Sequence, residues 1–90
     1  MSEVIDNHER HRFELATGAG TAYSNYRLSG SVLTVLHTEV PPALAGQGIG
    51  AKLARGVLAA ARARGLKVVA KCPFVAAYMA RHHEYDDLVA

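Results

Sequence analysis

Between Val40 and Gly56 the chain reads VPPALAGQGIGAKLARG, and this stretch separates two kinds of sequence. Pro41 and Pro42 cannot donate ladder hydrogen bonds, so a strand must end there. Gly46, Gly48 and Gly50 follow on alternate positions, just ahead of a helical pattern. A strand end, a glycine-rich loop and a helix N-terminus leave several backbone N–H groups unpaired and aimed at one spot, where the helix dipole favours an anion. Glycine there removes a Cβ that would hold a phosphate away, or permits the positive φ that an anion-binding nest requires. The alternative is structural: the glycines only tighten the connection and let the helix pack on the sheet.

Upstream of the prolines, apolar residues come in short runs punctuated by turn signals, which is the signature of strands. Val4 to His8 reads as a weak first strand. Phe13 and Leu15 alternate with Arg12, Glu14 and Ala16, a turn follows at Thr17 to Gly20, and Thr21 to Leu28 returns with Tyr23 and Tyr26 on opposite faces. Ser29-Gly30 has the length and type of a hairpin loop, so Ser31 to Val40 is expected to pair antiparallel with the strand before it. Period-two alternation groups Val32, Thr34, Leu36, Thr38 and Val40 on one face and Leu33, Val35, His37 and Glu39 on the other.

Downstream, Ile49, Leu53, Val57 and Ala61, with Ala54 and Leu58 beside them, form a stripe at helical spacing, opposite Lys52, Arg55 and Arg62. Gly65 is placed to close this helix. LKVVAK, from Leu66 to Lys71, reads as a strand parallel to the one ending at Val40, because a helix crosses between them. Pro73 suits the first turn of a second helix through FVAAYMARHH, in which Phe74, Val75 and Tyr78 read as core. EYDDLVA caps the fold as a short helical turn or strand. The expected fold is α+β (α/β), one domain over residues 1–90, with a mixed, mostly antiparallel sheet and two main helices in the order β-β-β-(β)-α-β-α.

A chain of 90 residues buries only about 60 to 65% of its unfolded surface. With 50% hydrophobic and 20% charged residues it belongs with soluble globular domains and not with membrane or disordered classes. The net charge is +2 and no run of Lys and Arg occurs, so nucleic acid is not an expected partner. One cysteine, Cys72, excludes an internal disulfide, and MSEVIDNHERHRF is too polar for a secretory signal; a cytoplasmic location is expected. His8, His11, His82 and His83 lack the spacing and fourth ligand of a zinc site, so no metal is expected.

Gly46, Gly48 and Ala51 formally satisfy the dinucleotide fingerprint G-x-G-x-x-A, but a hairpin precedes them where a first parallel strand should. The next strand, moreover, ends Lys71-Cys72 where that fingerprint requires an acid. A P-loop is also excluded, because Lys52 is followed by Leu53 and not by Ser or Thr. The stretch VPPALAGQGIGAKL instead resembles the acyl-CoA pyrophosphate loop of the GNAT N-acetyltransferase superfamily, with pattern [RQ]-x-x-G-x-[GA] after a central strand. HTEVPPALAGQGIGAKL together with KCPFVAAYMARHHEY is similar to the small stand-alone YjdJ-like proteins of that superfamily, a resemblance covering Phe13 to Val89.

The resemblance implies a minimal GNAT fold and acetyl-CoA or coenzyme A as cofactor. It implies that backbone N–H groups of Gly46, Gln47, Gly48, Ile49, Gly50, Ala51 and Lys52 hold the pyrophosphate. Ala45 stands where larger relatives have Arg or Gln. Pantetheine would lie beside the strand end at Thr38, Glu39 and Val40, with the Val40 N–H as an oxyanion donor. Tyr78 matches the general acid, one residue nearer the strand than is usual, and could equally be a half-buried aromatic.

Amide formation from a thioester needs a free amine, a stabilised oxyanion and a proton for the departing thiolate. Cys72, at a strand end before a helix N-terminus, could accept an acyl group, donate a proton, or simply pack. His37 and Glu39, two residues apart on one strand face, suit a base with an orienting partner, or a solvated polar strand end. The leading expectation is an N-acetyltransferase in which an unidentified amine, on a protein or a small molecule, attacks acetyl-CoA directly, with or without help from Cys72. The alternative is a CoA-binding module or sensor acting with a protein partner, because Ala16 to Thr21 is only a turn where full-length relatives place acceptor-walling helices.

Overall fold

The structure, a computed structural model, describes residues 4–90. Met1 to Glu3, part of the polar N-terminal stretch read above, lie outside the described residues. Strands β1 (Val4–Asn7), β2 (Arg12–Thr17), β3 (Gly20–Ser29) and β4 (Val32–Glu39) form an antiparallel meander. Helix α1 (Ile49–Ala63) then crosses to β5 (Lys67–Ala70), which lies parallel to β4, and α2 (Pro73–Arg81) follows. Strand order in the sheet is chain order, β1-β2-β3-β4-β5. This is the expected order of elements, with the weak N-terminal strand present.

One face of the sheet carries the core. Phe13, Leu15, Ala22, Tyr26, Leu33, Val35 and Val68 are buried there, and α1 covers them with Ile49, Leu53, Ala54, Val57, Leu58 and Ala61. Each fully buried Leu or Val contributes roughly 1.5–3 kcal/mol. That burial, and not capping, forms the helix, because Gly48 at its N-cap offers no side-chain hydrogen bond. The C-terminus is closed as expected: the Leu66 N–H donates to Ala61 O at 2.9 Å and the Gly65 N–H to Arg62 O at 3.2 Å, with Gly65 at φ 67°. This is the paired-bond Schellman closure. Helix α2 adds Val75 and Met79 to the same cluster. A 3₁₀ turn over His83–Leu88 seats Leu88 in it, and Val89 bridges to Val68, so the tail supplies both a helical turn and a strand contact.

Two sequence expectations change. Ser29 pairs with Val32, so the β3–β4 loop is Gly30-Ser31, one residue later than Ser29-Gly30. Gly30 adopts φ 60° there, a conformation that only glycine takes freely. The other change is larger. Asn25 lies opposite His37 while Tyr26 lies opposite Val35, so Leu36 is an extra residue and β4 bulges. Beyond it the alternation reverses: Thr38 joins Leu33 and Val35 on the helix-covered face, whereas His37 and Glu39 turn to the opposite face.

Candidate functional site

The bulge and the end of β5 act on the same stretch of β4. Pairing with β5 stops at Val35–Ala70, after which the Lys71 and Cys72 N–H groups both donate to Val35 O, at 2.9 and 3.1 Å. Pro73 then turns the chain into α2, leaving residues 36–39 of β4 with no β5 partner. A cleft of about 580 Å³ opens beside that edge, between the start of α1 and one side of α2.

Of the residues expected to hold a cofactor, Thr38, Val40, Gly46, Gly48, Ile49, Gly50 and Ala51 line this cleft, as does Tyr78. Gly46 and Gly48 have φ 79° and 73°, and a Cβ on either would meet no atom within 4 Å. Their N–H groups and those of Ile49, Gly50 and Ala51 have no backbone acceptor among the described residues. Gln47 and Lys52 differ, because their N–H groups donate to Leu44 O and Gly48 O at 3.3 and 3.1 Å. The first turn of α1 also contains no acidic residue. A side-chain cap and an acid at this position would contribute about 1 kcal/mol and about 0.3–1 kcal/mol respectively. Both are missing, so the positive end of the helix is not compensated by the cap or the first turn. No Asp or Glu lines the cleft, whereas Arg81 and His82 do. The cleft thus has the charge and the free donors to suit an anionic group.

Gly50 serves packing. A Cβ there would come within 2.7 Å of Phe74 Cζ, so the glycine lets the start of α1 approach α2. Phe74, expected as core, is instead 45% exposed and forms part of the wall; of the residues read as core at the start of α2, only Val75 is buried. Phe74, Ala77, Tyr78 and Arg81 recur at helical spacing along the wall, joined by His82, which stacks on Tyr78 with ring centroids 4.1 Å apart. Of these wall residues only Tyr78 was singled out from the sequence for this site, yet their i, i+3, i+4, i+7 period was the signal available.

Cys72 is buried at 3% exposure and does not line the cleft. Its Sγ donates to Thr38 Oγ1 at 3.2 Å, and Thr38 Oγ1 lies 2.8 Å from Ser24 Oγ. His37 and Glu39 are brought together, Nε2 to Oε1 at 2.8 Å, but on the sheet face away from the helices and largely in solvent. They are therefore not in the cleft. That face also carries Arg12 and Glu14, joined at 2.6 Å, with the Arg12 guanidinium 4.3 Å from the Tyr23 ring centroid. The Arg12 hydrogen bond holds the Glu14 carboxyl below its usual range, against the opposing effect of burial. Among the described residues no helix is long and apolar enough to cross a membrane, and no three metal-binding side chains converge.

A model of the GCN5-related N-acetyl-transferase family matches residues 12–88. The solved structures include a similar fold, a GCN5-like N-acetyltransferase candidate from Staphylococcus aureus determined in solution by NMR. It is 27% identical, with a TM-score of 0.75 over 98% of this chain and 87% of that one. A search of curated protein sequences returns no match. The bulged fourth strand, its lost partner and the glycine loop on an uncapped helix are the features that the family match spans, and the chain belongs to the GCN5-related N-acetyltransferase family.

Proposed function

We propose that this protein transfers an acetyl group from acetyl-CoA to an amine by direct attack. The observation that carries the reading is the unpartnered edge of β4 beyond Val35, lying beside free N–H groups at the start of α1. The N–H groups of Gly46, Gly48, Ile49, Gly50 and Ala51 would hold the pyrophosphate, with Arg81 and His82 adding positive character to the wall. The pantetheine arm would follow the edge at Thr38 to Val40. Bound there, acetyl-CoA supplies the activated acyl group. The chain's part is to orient it and to offer donors: the Val40 N–H toward the carbonyl oxygen and the Tyr78 phenol as proton source.

The acceptor would approach from the bare face of the sheet, where Glu39 and His37 stand ready to take or orient a proton. With only a turn between β2 and β3, this approach is open, which suits an amine on a protein surface or a flexible small molecule. Calorimetric titration with CoA should show one site, and acetyl-CoA should turn over with amines. Gly48→Trp should lose CoA binding, because its indole would stand in the space at the loop and force a bulky residue into positive φ. Normal binding by that variant would remove the loop from the site.

The same bare face supports a second reading, a CoA-binding module without catalysis. Binding without turnover on any amine panel is its expected outcome. Mass spectrometry after incubation with acetyl-CoA decides whether Cys72 is acylated; its burial beneath Thr38 favours an unmodified thiol.

A further inference from the structure

Ser24 is fully buried, at 0% exposure, and its only side-chain hydrogen bond among the described residues is to Thr38 Oγ1 at 2.8 Å. Were Ser24 the acceptor, its own hydrogen would have no protein partner at a fully buried position. Ser24 is therefore the donor, since a buried unmet donor is the costly alternative. Cys72 Sγ donates to the same oxygen at 3.2 Å. A hydroxyl oxygen has two lone pairs and one hydrogen, so both acceptor positions of Thr38 are filled. Its own hydrogen is the group left over, and Thr38 lines the cleft.

We infer that the Thr38 hydroxyl is a fixed hydrogen-bond donor to the thioester in the cleft, with Ser24 and Cys72 as positioning residues that prevent it from turning inward. This rests on the acetyl-CoA reading above. Negative charge grows on the thioester group as the amine adds, and a donor already oriented stabilises that charge without reorganisation. The Leu36 bulge makes the arrangement possible, because regular alternation would put Thr38 on the opposite face from Ser24 and Cys72. No proton changes owner in this role.

Two readouts test it. Cys72 is the sole thiol in the chain, so its S–H stretch in the infrared reports one hydrogen bond in the ligand-free protein. Thr38→Val should move that band to the frequency of a free thiol, while Ser24→Ala should leave it in place. In acetyl-CoA turnover, Thr38→Val should lower kcat about 100-fold with KM within about threefold. Thr38→Ser should restore most of it, and Ser24→Ala should cost about tenfold by freeing the rotor. Because Thr38→Val orphans Ser24, the paired variant Ser24→Ala/Thr38→Val leaves no buried hydroxyl unmet, only the weakly donating Cys72 thiol, and should show the same kcat loss. Wild-type kcat in the paired variant, or an S–H band unmoved by Thr38→Val, would overturn the assignment. Failure of the wild type to bind CoA in calorimetry would instead remove the acetyl-CoA reading on which it stands.

Discussion

Gly65 illustrates how one residue can be fixed by backbone geometry alone. It closes α1 at φ 67° with nothing within 4 Å of a would-be Cβ, so Gly65→Ala meets strain and no clash. The expected loss is about 1 kcal/mol, read as a lower urea midpoint with unchanged slope. Tyr26 is fixed by chemistry instead. Its hydroxyl donates to Asp6 Oδ1 at 2.6 Å beneath α1, and burial first, then Asp6, pushes its pKa up to about 12. The folded value lies above the unfolded value of about 10, so folding favours the protonated phenol. Stability from this group is full below about pH 10 and is lost as pH rises through about 12. Tyr26→Phe should flatten that alkaline loss in pH-dependent unfolding. At neutral pH it should cost about 1 kcal/mol, since Asp6 keeps Arg64 at 3.1 Å as a partner.

At the scale of elements, the extra residue in β4 decides which side chains meet. Removing Leu36 should restore regular pairing with Thr38 still opposite Ser24, and straighten the strand edge that the bulge bends. The expected result is cooperative unfolding by circular dichroism with loss of CoA binding in calorimetry. Much of the fold was legible beforehand. The stripe from Ile49 to Ala61 obeys the helical period, Gly65 stands just past its end, and VVA could be a strand but not a helix. The bulge was not legible, because Leu36-His37-Thr38 continues a smooth alternation and no glycine or proline marks the slip. Assigning His37 and Glu39 to the face of Val35 followed from that alternation, and only the register with β3 corrects it. The glycine loop was legible as a special backbone conformation, because Gly46 and Gly48 take the positive φ that their spacing suggested. The α2 wall was obscured because Phe74 looks like core in composition and becomes wall only through its contact with Gly50.

For the whole molecule, one core on one face of the sheet leaves little margin. A domain of this size is held by roughly 5–15 kcal/mol, and Leu53 is fully buried between helix and sheet. Leu53→Ala should remove about 2–5 kcal/mol and lower the melting temperature by tens of degrees in a calorimetric scan. The tail is held more loosely. Arg62 grips it through Asp87 Oδ2 and Glu84 O, both at 2.7 Å, and Arg62→Ala should speed amide exchange at Leu88 to Ala90 while leaving α1 protected. The free edge of β4 beyond Val35 bears on the molecule's fate as a population. Uncovered strand edges are templates on which a second chain can add a strand, and Glu39 and Pro41 only partly guard this one. A pantetheine arm lying along it would occupy the same backbone groups, so the ligand would act as a solubility factor. Heated samples should scatter less light when saturated with CoA than without it, beyond what the shift in melting temperature explains.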